Sequence, residues 1–281
     1  MEYLNKITDR LFVSLQRVCE HPQGVSGLST GFEALDKLTS GWHKGELIVI
    51  TSPPRMGKTA LALSMLNNSM YDDRLGTIWF STNLAAMQLT KMMLCNNLGV
   101  EMQHLQRGKV DAEILLELIE KYAFSGLLVD DTPYLSIDDI DSKIDDQFLM
   151  CPVEMIVIDD VNNLNYSKTD MPDLADKLYQ LKALARKYEI AVVVLMETEN
   201  PPCGMSSQDI DCISLSDYKA LSKSVDVTIQ LCRPGYYKVI EFSDKSSTLG
   251  MAELICSGRN GYGKVRLQYE PEFFRFKDIY M

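Results

Sequence analysis

Near the start of the chain, apolar side chains at Leu4, Ile7, Leu11, Leu15 and Val18 recur at the three- and four-residue spacing of a helix, with polar residues over much of the other face. The spacing predicts an amphipathic helix over residues 4–20. A linker begins at His21-Pro22-Gln23-Gly24, where Pro22 and Gly24 both punctuate a helix end. A helix placed outside the main domain has two readings: it packs on its own domain, or it docks on a neighbouring subunit.

From Gly45 onward the pattern becomes an alternation of short apolar runs and helical stretches. Glu46–Thr51, Thr77–Ser81, Leu127–Asp130, Val153–Asp159 and Ile190–Leu195 read as strands. Between them, residues 58–69 and 84–98 read as helices. Ser136, with Asp139 three residues on, caps a helix that runs to about Phe148. Pro172 opens another, with Leu174, Leu178, Leu181 and Ala185 on its apolar side. Beyond residue 225 the pattern is mostly strands, at 226–232, 236–243, 251–257 and 263–270. This order predicts an α/β fold: a mainly parallel central sheet with helices on both faces, and antiparallel strands added at the C-terminal end.

Composition sharpens this only a little. The chain has 281 residues, 46% hydrophobic and 24% charged, which suits one large soluble domain with a short appendage. No apolar run approaches the ~18 residues of a membrane span. The first residues lack the basic-then-apolar pattern of a signal peptide, so a cytoplasmic protein is expected. The 7 Cys are odd in number and form no CxxC, which predicts buried reduced thiols rather than a disulfide framework or zinc site. His21, His43 and His104 are scattered. A net charge of −11 repels nucleic acid at long range.

The chemistry enters after the first strand, with Ser52-Pro53-Pro54-Arg55-Met56-Gly57-Lys58-Thr59. A strand before and a helix after are the context that a phosphate-binding loop requires. Gly57 lets the backbone approach phosphate, and the amides of the following helix favour its charge. Lys58 supplies a point charge to the β- and γ-phosphates, and the Thr59 hydroxyl can ligate magnesium. Ser52 stands where the common form of the loop has glycine. Asp159 ends the apolar run Met155–Ile158, where a carboxylate can help hold the metal; Asp160 is the neighbouring candidate. A nucleoside triphosphate with Mg2+ is therefore the expected ligand.

With these motifs in place the sequence resembles the C-terminal, RecA-like ATPase domain of DnaB-type replicative DNA helicases. The loop Pro54–Thr59, Gly27-Leu28-Ser29-Thr30-Gly31-Phe32 with Leu35-Asp36, Val129-Asp130-Asp131-Thr132-Pro133, Ile156–Asp159, Leu181–Ala185 and Gly258-Arg259-Asn260-Gly261 occur in family order across residues 24–281. The resemblance implies a homo-oligomeric ring, usually a hexamer, with ATP between neighbours. It makes residues 1–23 a linker-type helix that packs on the adjacent subunit, and 24–281 the ATPase domain. Arg259 matches the arginine finger that reaches the next subunit's γ-phosphate; otherwise it is a turn arginine beside Asn260-Gly261.

Several positions depart from the pattern. Asn83 stands where the family has a glutamate that activates water, and an amide cannot accept a proton near neutral pH. Glu197 stands for a glutamine, and Ser257 for a lysine two places before the finger. The stretch 162–170 carries one basic residue, Lys168, and 198–209 carries none, so single-stranded DNA binding is expected to be weak. Three readings follow: an ATP-driven ring helicase or translocase with weakened hydrolysis; a helicase-like ATP-binding regulatory or interaction protein; and a recombination-type RecA-like ATPase, which the motif details favour less.

Overall fold

The apolar run Leu47–Ser52 forms strand β1, and every one of its residues is buried. A strand covered on both faces reads as a continuous apolar run rather than an alternating one. Its side chains nevertheless alternate in space: Ile48 and Ile50 enter one apolar layer, Leu47 and Val49 the other. The computed structural model describes residues 25–69, 76–165, 173–198, 224–258 and 261–279, together with positions 4, 8 and 12.

The remaining strands are β2 (Thr77–Ser81), β3 (Leu127–Asp130), β4 (Met155–Asp159), β5 (Ala191–Glu197), β6 (Val227–Cys232), β7 (Met251–Gly258), β8 (Gly261–Glu270) and β9 (Arg275–Asp278). They form a nine-stranded sheet in the order β3-β2-β4-β5-β1-β6-β7-β8-β9. From β3 to β6 the strands are parallel, and from β6 to β9 antiparallel. The expected α/β architecture, with antiparallel strands added at the C-terminal end, is what the chain adopts.

The helices are α1 (Glu33–Thr39), α2 (Lys58–Ser69), α3 (Ala86–Leu98), α4 (Met102–Gln106), α5 (Ala112–Ala123), α6 (Ile137–Phe148) and α7 (Leu174–Tyr188). Leu61, Leu66, Leu89 and Met93 of α2 and α3 build one layer, which continues over β6–β9 through Ile229, Leu254, Leu267 and Phe276. Ile140 and Ile144 of α6, with Leu178 and Leu181 of α7, build the other. The capping box at Ser136 and Asp139 is present. The Asp131 carboxylate accepts from the Ala86 amide at 2.7 Å, so β3's exit loop fixes the start of α3. The segment before β1 is tied down by Asp36, which accepts from the Thr30 amide and the Ser29 hydroxyl, each at 2.7 Å.

Some expectations need correction. Residues 236–243 are not a strand: Pro234–Tyr237 form a 3-10 turn, and Lys238 takes φ 63. Pro234 sits at the first turn of that helix, where its missing N–H costs nothing. The aromatic and β-branched residues that follow suggest a strand, yet Ile240 is exposed. Asp173 rather than Pro172 marks the start of α7, its carboxylate accepting from the Asp176 amide at 3.0 Å; residue 172 lies outside the described residues. The elements read from the sequence do not include α1, α4, α5 or β9. Cys95, Cys232 and Cys256 are buried as expected, and burial pushes the Cys256 thiol up to about 12. Cys151 is exposed instead. Among the described residues no helix is long and apolar enough to cross a membrane. Of the helix expected over 4–20, positions 4, 8 and 12 alone are described; they are helical, with Leu4 and Phe12 exposed.

Candidate functional site

Parallel strands end together, and β1, β5 and β4 bring Ser52, Glu197 and Asp159 to the same edge of the sheet. In open α/β sheets this carboxyl edge is where ligands bind. β1 stops at Ser52, the chain turns through Pro53–Gly57, and α2 begins at Lys58.

Ser52 is still a strand residue. It pairs with Glu197, its carbonyl accepts from the Thr198 amide at 2.9 Å, and its hydroxyl donates to the Pro53 carbonyl at 2.8 Å. Its φ is not positive, so nothing here calls for glycine. Positive φ falls instead at Arg55 (65°) and Gly57 (99°). At Arg55 the left-handed conformation costs about 1 kcal/mol. At Gly57 φ makes any side chain strained, and a Cβ would also sit tightly, 3.2 Å from the Tyr269 ring carbon Cζ and hydroxyl. Met56 is fully buried and anchors the loop between them.

Lys58 is buried, and its Nζ lies 3.4 Å from both the Ser52 carbonyl oxygen and Glu197 Oε2. The Thr59 hydroxyl donates to Asp159 Oδ2 at 2.8 Å. Burial pushes the Asp159 carboxyl up to about 6, against the Thr59 hydrogen bond and the attraction of Lys58. A hydroxyl and a desolvated carboxylate in contact are a donor set that suits a hard divalent cation, and such a cation offsets the cost of ionising Asp159. The residues present therefore fit magnesium. Asp160 is also raised by burial; its Oδ1 accepts from the Asn162 amide at 2.9 Å and so caps the turn Val161–Asn163.

Thr82 locks this corner. Its amide and hydroxyl both donate to the Asp159 carbonyl, at 2.7 and 3.0 Å, and its hydroxyl accepts from the Asp160 amide at 2.8 Å. The exposed Asn83 is held by Asn163, whose Nδ2 donates to Asn83 Oδ1 at 2.6 Å. The Asn162 side chain bonds the Glu197 carbonyl at 2.9 Å and so joins the ends of β4 and β5. Two asparagines of the expected polar loop are thus structural.

Three residues that pattern alone did not single out support the loop from the antiparallel side. Tyr269 of β8 stacks on Phe276 of β9 with ring centroids 4.3 Å apart, and both lie under Gly57. The Arg233 guanidinium lies 4.3 Å above the Tyr269 ring and donates to the Arg55 carbonyl at 3.3 Å. No local signal marks them, because they meet only in three dimensions. Arg259, between the paired Gly258 and Gly261, lies outside the described residues, as do 166–172 and 199–223. Ser257 is exposed on β7.

A model of the DnaB-like helicase C terminal domain matches residues 27–278. The replicative DNA helicase DnaB of Geobacillus stearothermophilus is 27% identical over 263 residues, covering 91% of this chain and 57% of the relative. A probable replicative DNA helicase of Trieres chinensis is 29% identical over 267 residues, covering 90% and 58%. The chain thus spans little more than half the length of these curated relatives. Among solved structures, one of a DnaB-like replicative helicase, described with its interactions with primase, aligns with TM-score 0.77 at 22% identity over 97% of this chain and 67% of that one. An isolated ATPase domain aligns with TM-score 0.80 at 22% identity, over 98% and 99%. At this identity the structures speak for the fold.

Proposed function

Because the chain belongs to the DnaB-like helicase C-terminal domain family, we propose that it is the ATPase motor of a replicative-type DNA helicase, a cytoplasmic protein that forms a hexameric ring and uses ATP with Mg2+ to move along and unwind DNA. The observation that carries this reading is the Thr59–Asp159 contact beside Lys58 at the carboxyl edge of the sheet. Residues 24–281 form the motor and residues 1–23 the linker helix that joins neighbouring copies. Arg259 serves as the finger offered to the next subunit's γ-phosphate.

Within one subunit the division of labour follows from the geometry. The loop amides and the start of α2 receive the phosphates, and Lys58 carries the charge that meets them. Thr59 and Asp159 hold the metal, which neutralises phosphate charge when bound. Asn83, kept in place by Asn163, orients water without taking its proton. Turnover is accordingly slow relative to binding. The relatives named are replicative helicases, which supports a motor over a purely regulatory ATP-binding module.

The test is Mg2+-dependent ATP hydrolysis by the full chain, with and without single-stranded DNA. Hydrolysis stimulated by DNA is expected. A chain that binds no ATP in calorimetry would end the nucleotide reading altogether.

A further inference from the structure

The phosphate-binding lysine already has a partner. Lys58 Nζ is 3.4 Å from Glu197 Oε2, and Glu197 ends β5 directly opposite Ser52, where the phosphate loop begins. Asp159 and Asp160 also act on this ammonium, and Asp160 is repelled by Glu197. Three carboxylates therefore share one lysine. Asp159 and Asp160 are buried and committed: one holds Thr59, the other caps a turn. The Glu197 side chain is 51% exposed, and among the described residues its side-chain hydrogen bond and ion pair are with Lys58.

We propose that Glu197 is a specificity-determining residue that biases the site away from nucleoside triphosphates and toward diphosphates. The inference rests on the nucleotide reading above. Its physics has two parts. Any nucleotide must take Lys58 from Glu197, which weakens both ligands. The loop amides cradle the α- and β-phosphates, and Lys58 reaches on to the γ-phosphate. A carboxylate within ion-pair distance of Nζ then lies beside the extra phosphate of a triphosphate. Like charges at such range repel, and partial exposure leaves the repulsion reduced but present. The γ-phosphate bears the second penalty, and a diphosphate does not.

The test is calorimetric titration of the full chain with Mg-ADP and with a non-hydrolysable Mg-ATP analogue, for wild type, Glu197→Gln and Glu197→Ala. Both variants remove the charge, and the backbone bonds that Thr198 and Asn162 make to this corner remain. Charge removal should tighten the triphosphate analogue about tenfold and ADP about threefold or less, within the range that a nearby charge controls. The analogue-to-ADP ratio therefore shifts toward the triphosphate in both variants. An unchanged ratio, an equal gain for both ligands, or weaker triphosphate binding in folded variants (thermal melting as the check) would overturn the proposal. Wild type binding both ligands with that result leaves the nucleotide reading standing; wild type binding neither overturns both.

Discussion

The two halves of the sheet do different work. The parallel half, from β3 to β6, supplies the groups we propose for phosphate and metal, Lys58, Thr59 and Asp159, together with Glu197 beside Lys58, all at strand ends or in the loop and helix start that follow. Among the described residues the antiparallel half supplies none of these; Arg259, the finger proposed between β7 and β8, lies outside them and would serve the next subunit's site. The antiparallel half supplies a floor: Tyr269 and Phe276 stacked beneath Gly57, with Arg233 reaching from the end of β6 to the Arg55 carbonyl. Parallel strands bring their carboxyl ends to one edge, where loops can carry chemistry. Antiparallel strands put side chains of successive hairpins against each other, where rings can stack. Chemistry and support are thus divided by topology.

That division can be broken by experiment, first at Lys58. Lys58→Ala removes the charge that faces the phosphates, and ATP affinity should fall about 100-fold, the range expected for losing one partner of a desolvated charge pair. Calorimetry showing unchanged affinity would defeat the assignment. Asn83→Glu adds the missing carboxylate on the same half. General-base catalysis contributes about 10²–10⁴-fold, so turnover should rise about 100-fold with ATP affinity roughly unchanged. If wild type already turns over briskly and the variant does not help, Glu197 or Asp160 becomes the leading base.

On the supporting half, Tyr269→Ala should cost about 3 kcal/mol of folding stability, as truncating a buried ring does, measured by denaturant melts. ATP affinity should fall with it, because the loop above loses its floor. Lost stability with intact affinity would make β8 mere scaffold. Arg233→Ala should cost about 1 kcal/mol, for one hydrogen bond and contacts with the Tyr269 and Tyr236 rings, and read out as a small drop in Tm. The smallest effect concerns DNA. The segments 162–170 and 198–209 hold one basic residue between them, so single-stranded DNA affinity should change with salt on a log–log slope of magnitude about 2 or less. A steep slope in fluorescence anisotropy would place the DNA surface elsewhere.

The same division governs what the sequence reveals. The chemical half is legible because its residues are neighbours in the chain: a strand, a turn, Gly57-Lys58-Thr59, and a carboxylate at the end of another apolar run. Asn83, two places beyond β2, stands out only through the family resemblance, since no local pattern marks it. The supporting half is not. Tyr269 reads as one more strand aromatic, and nothing near it shows that its ring will meet Gly57. The region 236–243 misleads because β propensity reflects how a side chain fits a half-buried pleated surface, and here that surface is absent. Helix α5 carries local signals of its own, the Asp111 cap and Ile114, Leu115, Leu118, Ile119 and Tyr122 at helical spacing, although Leu118 is its one buried residue.

Ser52 has a consequence for how such loops are recognised. A pattern that insists on glycine at the first position of the phosphate loop passes over this chain. Yet the residue there is a paired strand end with ordinary backbone angles. Any small side chain that fits the buried space is compatible with it. The information a search should weigh lies at Gly57, where φ strains any side chain and a neighbouring ring crowds it. The leading glycine of the common motif is then a frequent solution rather than a requirement, and its absence is no argument against nucleotide binding.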